Sequence, residues 1–318
     1  MNSGLRRRLY DRVGPHVTAK RLLIVSGKGG VGKSTTAAAL GLATAARGLR
    51  TIVAEVAGRN DAASLLGLTA AGSQETRVSS NLHHVTIDRR TALDEYLREE
   101  VPGPFPAAIL TRSRAFQGFV DAAPGLQELL TIGKVWELTQ DPRRRKNAQP
   151  YDVVVLDGPA TGQLLALLQA PRTFVSIARA GPVARQGTAI ERMLRDPDQT
   201  GVVIVATPEQ MAVTETLELR AALSEALAVD LDAVVVNRAF PTRFSSAEAR
   251  ALGEVADDPA IRSARWLYGR ARAQQAQVAR LRRGLSGVPR VTLPYLFSET
   301  FDRGCVGRLA ELLGRALL

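Results

Sequence analysis

Residues 21–34, "RLLIVSGKGGVGKS", decide how the rest of the chain is read. Leu22–Val25 is a short apolar run leading into glycines, and an alanine-rich stretch, "TTAAALGLATAAR" (35–47), follows them. An apolar run of that length, bounded by turn residues, predicts a buried strand, and the alanine-rich stretch predicts a helix. Between the two, Gly27-Lys28-Gly29-Gly30-Val31-Gly32-Lys33-Ser34 satisfies G-x-x-x-x-G-K-[ST], in the strand-to-helix setting where that pattern has a mechanism. Glycines let successive N–H groups turn inward as an anion nest, and the start of the helix adds partial positive charge. Lys33 is placed to reach β- and γ-phosphates, and the Ser34 hydroxyl to ligate Mg²⁺. The candidate nucleotide contacts are Gly29, Gly30, Val31, Gly32, Lys33, Ser34 and Thr35, and the implied cofactors are ATP and Mg²⁺.

The loop holds a second lysine, Lys28, and this matters in a chain with few of them. Lys20, Lys28, Lys33, Lys134 and Lys146 are the only lysines in 318 residues; the other basic residues are arginine. Where either cation would serve, the chain uses arginine. Its choice of lysine at both 28 and 33 points to positions that need a compact ammonium.

Working outward, "TIVAEV" (51–56) and "NLHHVTID" (81–88) read as strands, with a helix over 91–101. Residues 103–149 carry helical spacing interrupted by Pro104, Pro106, Pro124 and Pro142, and read as a helical insertion over one end of the sheet. Its apolar residues are expected to pack that insertion on the sheet, and Lys134 to lie on a solvated helix face. "YDVVVLDG" (151–158), "GVVIVATP" (201–208), "LDAVVVNR" (231–238) and "VPRVTLP" (288–294) are continuous apolar runs, as in strands buried on both faces. Helices are expected at 161–169, 172–195, 209–227, 246–256 and 260–284, and an amphipathic one closes the chain at 305–318. The predicted fold class is α/β, a doubly wound, mostly parallel sheet of P-loop NTPase type with the helical insertion, in one domain over 1–318. An acidic residue ending a buried strand suits a Mg²⁺ shell, so Asp157 is the second candidate metal residue, acting through water.

Composition narrows the function classes. No run of apolar residues is long enough to span a membrane, and no apolar stretch follows the Arg6–Arg8 cluster, so a cytoplasmic location is expected. Cys305 is the only cysteine and His16, His83 and His84 lack ligand-like spacing, which leaves no zinc site. The net charge is +11, and residues 1–50 hold ten Lys/Arg against Asp11 alone. We read this as solubilising charge; nucleic acid is not an expected partner, and membrane contact is at most peripheral.

Two stretches carry a family resemblance. Residues 27–34 resemble the deviant Walker A pattern K-G-G-x-G-K-[ST] of the ParA/MinD/ArsA superclass, and "DGPATGQLLALLQAP" (157–171) resembles the D-T-A-P-T-G-H-T-L-R-x-L-Q-x-P stretch of the ArsA-like group. That group comprises arsenite-pump and tail-anchored-protein-targeting ATPases. Asp157, Thr161, Gly162, Leu165, Leu168, Gln169 and Pro171 fall in register. The resemblance implies an ATP-hydrolysing dimeric switch in which Lys28 reaches the nucleotide of a facing subunit. It implies that Asn237 reads the adenine edge and that the loop at Pro294 covers the base. It also implies a second subunit, in a homodimer or a related heteromer, and a client protein the sequence does not identify. The chain departs from the group at Ala57, where an aspartate usually polarises the attacking water; Glu55 and Asp61 are the nearby substitutes. Catalytic candidates are therefore Lys28, Lys33, Asp157 and Glu55, with slow hydrolysis by the chain alone. Two alternatives stand beside this reading: a ParA/MinD-type positioning ATPase, and a non-hydrolysing, ATP-bound partner subunit.

Overall fold

The computed structural model describes residues 17–56, 60–69, 72–100, 125–144, 148–178, 181–254 and 258–318. Eight strands form one sheet: β1 (Leu22–Ser26), β2 (Thr51–Val56), β3 (Thr76–Arg77), β4 (Leu82–Ile87), β5 (Val153–Asp157), β6 (Thr200–Ala206), β7 (Ala233–Ala239) and β8 (Arg290–Pro294). Their order is β3-β4-β2-β5-β1-β6-β7-β8. Every neighbouring pair is parallel except β3 with β4, an antiparallel edge. The helices are α1 (Lys33–Ala46), α2 (Asp61–Leu65), α3 (Arg89–Glu100), α4 (Leu126–Thr139), α5 (Thr161–Ala178), α6 (Pro182–Arg195), α7 (Gln210–Leu227), α8 (Ser246–Glu254), α9 (Pro259–Gly284) and α10 (Arg303–Leu317).

The continuous apolar runs are central strands covered on both sides. On β1, Leu22 and Ile24 join one core with α4, α5, α6 and α7, whereas Leu23 and Val25 join the other with α1 and α10. A period-two strand with apolar residues at every position supplies both cores at once. The chain leaves β1 to return as β2 on one flank and, later, as β6 on the other. The carboxyl end of β1 is thus the crevice where open α/β sheets bind ligands.

Three details differ from the sequence reading. Pro171 was expected to separate two helices, but α5 runs through it, and the break falls instead at Gly181-Pro182. Leu164, Leu167, Leu168 and Ala170 are buried just before the proline and Phe174 and Val175 are half-buried after it, so packing holds the helix across the missing N–H. Gly187 of α6 sits against this segment: an added Cβ would lie 2.7 Å from Val175 and 3.3 Å from the Pro171 carbonyl. Second, Lys134 does not lie on a solvated face; Glu95 (2.7 Å) and Glu137 (3.5 Å) hold its ammonium. Third, β3 and α2 lie in stretches the periodicity left unassigned.

Of the insertion, α4 is described, and Ile132, Val135 and Leu138 pack it into the core. The apolar segments within 101–124, like the Arg6–Arg8 cluster and Ala57, lie outside the described residues. The closing helix α10 buries Val306, Leu309 and Leu313 in the core shared with α1. No helix of the described residues is long and apolar enough to cross a membrane.

Candidate functional site

Two of the glycines in the loop between β1 and α1 hold places a side chain would strain. Gly27 has φ 154°, and a Cβ there would lie 2.1 Å from the Val205 carbonyl oxygen of β6. Gly32, at φ 98°, caps α1, and its Cβ would lie 2.2 Å from Asn237 Nδ2. The other two glycines have a different role. A Cβ on Gly29 or on Gly30 would meet no atom within 4 Å, so those residues leave the mouth of the loop open to a close-approaching ligand. The loop thus packs tightly against β6 and β7 and is bare on its outer side. That arrangement fits a polyphosphate cradled by backbone N–H groups at a helix start.

Lys33 is 6% exposed, and its Nζ donates to the carbonyl oxygen of Lys28 at 3.1 Å, closing the loop on itself. Ser34 and Thr35 follow in the first turn of α1, both half-buried. Asp157 ends β5, 4% exposed, in register with Val25 of β1 on one side and with Glu55 of β2 on the other. The loop after it is tied to β1. Gly158 N–H donates to the Val25 carbonyl at 2.9 Å and Ser26 Oγ to the Pro159 carbonyl at 2.7 Å. Ser34, in the first turn of α1, and Asp157, at the end of β5, both carry hard oxygen atoms of the kind that ligates magnesium.

The structure assigns Glu55 a different task from the one expected of it. Its Oε2 accepts from Ala62 N–H at 3.0 Å, its Oε1 accepts from Ala63 N–H at 3.4 Å, and His84 Nε2 lies 3.0 Å from Oε1. Glu55 and His84 are each 1% exposed. A carboxylate so enclosed and bonded satisfies the first turn of α2 and has no face turned to solvent. Glu55 thus satisfies two N–H groups at the start of α2, which leaves it poorly placed to meet a water. Asp61, the other substitute, is the exposed first residue of α2.

Lys28 makes its contact within its own chain. Its ammonium is ion-paired with the carboxylate of Glu215 on α7, each side chain about one-third exposed. The other oxygen of Glu215 accepts from Thr161 Oγ at 3.3 Å, at the start of α5. One carboxylate thereby links the β1–α1 loop, the helix that follows Asp157, and α7. Glu215 lies mid-helix with no motif around it, so nothing in the sequence signals this role.

Asn237 closes the inner side of the site. It is 4% exposed; Nδ2 donates to the Val31 carbonyl at 2.9 Å, and Oδ1 accepts from Arg238 N–H at 2.9 Å. It therefore braces the loop from β7. Pro294 ends β8, and the next residue, Tyr295, donates its N–H to the Ala239 carbonyl at 2.8 Å. The Tyr295 ring stacks on Phe240 with centroids 5.0 Å apart, and Phe297 joins at 4.9 Å from Tyr295. This aromatic cluster at the end of β7 and β8 is not apparent from the sequence, because its members come from separate segments. Beside Asp157 is a cavity of about 150 Å³ whose lining includes Arg89, Gln127, Thr131 and Gln163.

Comparisons with known proteins give the chain a family. The family model for anion-transporting ATPases matches residues 20–186 and 177–301. The ATPase BagA of Mycobacterium tuberculosis is 33% identical over 230 residues, which cover 70% of this chain and 66% of that protein. A protein of Aquifex aeolicus provisionally named as an arsenical pump-driving ATPase is 24% identical over 340 residues, covering 92% of this chain and 78% of its own. A Halobacterium salinarum protein of the same provisional name is 25% identical over 253 residues, covering 72% of this chain but 37% of its own. The chain thus spans just under two thirds of the mycobacterial relative's length. With the family model matched over most of its residues, the chain belongs to the anion-transporting ATPase family.

Proposed function

We propose that the chain binds ATP with Mg²⁺ in the 27–34 loop and acts as a nucleotide-driven switch between two subunits. The observation that carries this reading is the division of labour among the glycines: Gly27 and Gly32 lock the loop against β6 and β7, while Gly29 and Gly30 keep its outer side bare. In this proposal the N–H groups of Gly29 to Thr35 and the start of α1 hold the phosphates, and Lys33 fixes a positive charge beside the γ-phosphate. Ser34 and Asp157 hold Mg²⁺, the latter through water. When bound there, the ion would neutralise charge developing on the phosphate oxygens. Asn237 and Pro294 flank the adenine side. The relatives named as ATPases support the class of activity.

Lys28 is the proposed contribution to a second subunit, and its pairing with Glu215 gives that contribution a cost. Reaching outward requires leaving a carboxylate of its own chain. Hydrolysis by the chain alone is slow in this account, because Ala57 stands at the aspartate position and Glu55 is committed to α2. The same observation favours a heteromer in which Lys28 serves a partner that carries the aspartate. A cysteine-based arsenite site cannot be assembled from Cys305 alone. Phosphate release by the purified chain with Mg·ATP tests the reading. Turnover well below about 1 s⁻¹ that disappears in Lys33→Ala supports it. Turnover unchanged by Lys33→Ala places the chemistry elsewhere and overturns it.

A further inference from the structure

Ala57 stands at the aspartate position, Glu55 is bound to α2, and Asp61 is exposed at the start of that helix. The cavity of about 150 Å³ beside Asp157 holds another carboxylate, Glu128. Val56, the residue before Ala57, lines this cavity at the end of β2, and Asp157, Gly158 and Pro159 line it at the end of the neighbouring β5. Gly158 N–H donates to the Val25 carbonyl and Ser26 Oγ to the Pro159 carbonyl, and Val25 and Ser26 lead directly into the 27–34 loop. The cavity therefore borders position 57 and the segment that ties β5 to the start of the loop. Neighbouring strands lie about 4.8 Å apart, so the ends of β2, β5 and β1 fall within about 10 Å of one another.

Glu128 and Thr131, one helical turn apart on α4, line the cavity together. Glu128 is half-buried, and its carboxylate makes no hydrogen bond or ion pair among the described residues, Arg89 of the same cavity included. A carboxylate drawn out of bulk solvent is costly unless something donates to it. Water takes up about 30 Å³ per molecule in the liquid, so the cavity has room for several.

We propose that Glu128 is the carboxylate that orients and deprotonates the attacking water in ATP hydrolysis by this chain, an inference that rests on the 27–34 loop holding Mg·ATP. The water oxygen bonds to the γ-phosphorus as the bond from that phosphorus to the β–γ bridging oxygen breaks, and its electron pair leaves with ADP. Glu128 takes one proton of the water and passes it to solvent; the other hydrogen stays on the phosphate. Glu128 also lies in the first turn of α4, where a negative charge favours the helix whatever stands at position 57. The two roles are separable.

Single-turnover phosphate release from Mg·ATP is compared in the wild type, Glu128→Gln, Ala57→Asp and the double variant, with calorimetry for ATP affinity and circular dichroism for folding. Glu128→Gln should slow release at least about tenfold and leave ATP affinity within about twofold. Ala57→Asp supplies a second acceptor, so in that background the same substitution should change the rate by less than about threefold. A helix-start role gives the same loss in both backgrounds. If Glu128→Gln does not fold, Glu128→Asp decides: it keeps the charge at the helix start, withdraws it by one methylene, and should slow release at least about fivefold. Release unchanged by the substitution at Glu128, an equal loss in both backgrounds, or no release by the wild type would overturn the inference. Mg·ATP binding that depends on Lys33, with release indifferent to Glu128, fails this inference alone; no Mg·ATP binding fails the reading of the loop.

Discussion

Replacing Asn237 by alanine removes two hydrogen bonds that brace the 27–34 loop from β7. One runs from Nδ2 to the Val31 carbonyl and the other from Arg238 N–H to Oδ1, each at 2.9 Å. Asn237 and Val31 are 4% and 3% exposed, so the Val31 carbonyl is left buried with no donor. That costs about 1–3 kcal/mol. Arg238 is exposed and its N–H can turn to water, so the second bond adds about 1 kcal/mol. The expected destabilisation is about 2–4 kcal/mol, read as a lower urea midpoint at unchanged slope. Asn237→Asp separates the two bonds. It keeps the acceptor for Arg238 N–H but sets an oxygen against the Val31 carbonyl, so it should cost at least as much as alanine. A loss below about 0.5 kcal/mol for either variant would show that the loop holds its shape without β7, and the bracing argument would fail.

Further outcomes follow from other contacts. Glu215→Gln should release Lys28 from its own chain; with a non-hydrolysable Mg·ATP analogue, sedimentation velocity should then show more self-association than wild type, and Lys28→Ala should show less. An unchanged distribution in Glu215→Gln would mean that the ion pair does not restrain the lysine. Burial alone would push the Glu75 carboxyl up, but hydrogen bonds from Arg143 and Tyr151, with the Arg143 charge, hold it below its usual value. A carboxylate with a depressed folded value contributes stability that is complete above its unfolded value, near 4.5, and is lost as pH falls through the folded one. Stability of the wild type should therefore drop more steeply below about pH 4.5 than that of Glu75→Gln, by urea denaturation across pH; parallel curves would remove Glu75 from the account.

The sequence exposed most of the architecture because its central strands are apolar at every position, a pattern only two-sided burial favours. It exposed the loop because G-x-x-x-x-G-K-[ST] is a contiguous pattern, legible where a strand meets a helix. What stayed hidden depends on distant residues. Pro171 looks like a helix end in the sequence, and the packing that carries the helix through it, from Leu164, Leu167 and Leu168 before it and Phe174 and Val175 after it, shows only in the fold. Glu55 read as a substitute for the aspartate missing at position 57 because the N–H groups it binds, on Ala62 and Ala63, are absent from any motif. Glu215 is 187 residues from Lys28, and no periodicity links them. Strand β3 has only two residues, too few to show an alternation.

The central claim is that the 27–34 loop holds a nucleoside triphosphate, and equilibrium binding of Mg·ATP by calorimetry measures it most directly. The account predicts one ATP per chain for the wild type and a loss of at least about tenfold in affinity for Lys33→Ala, whose ammonium closes the loop. Equal affinity in the two proteins, or no binding to either, would contradict it.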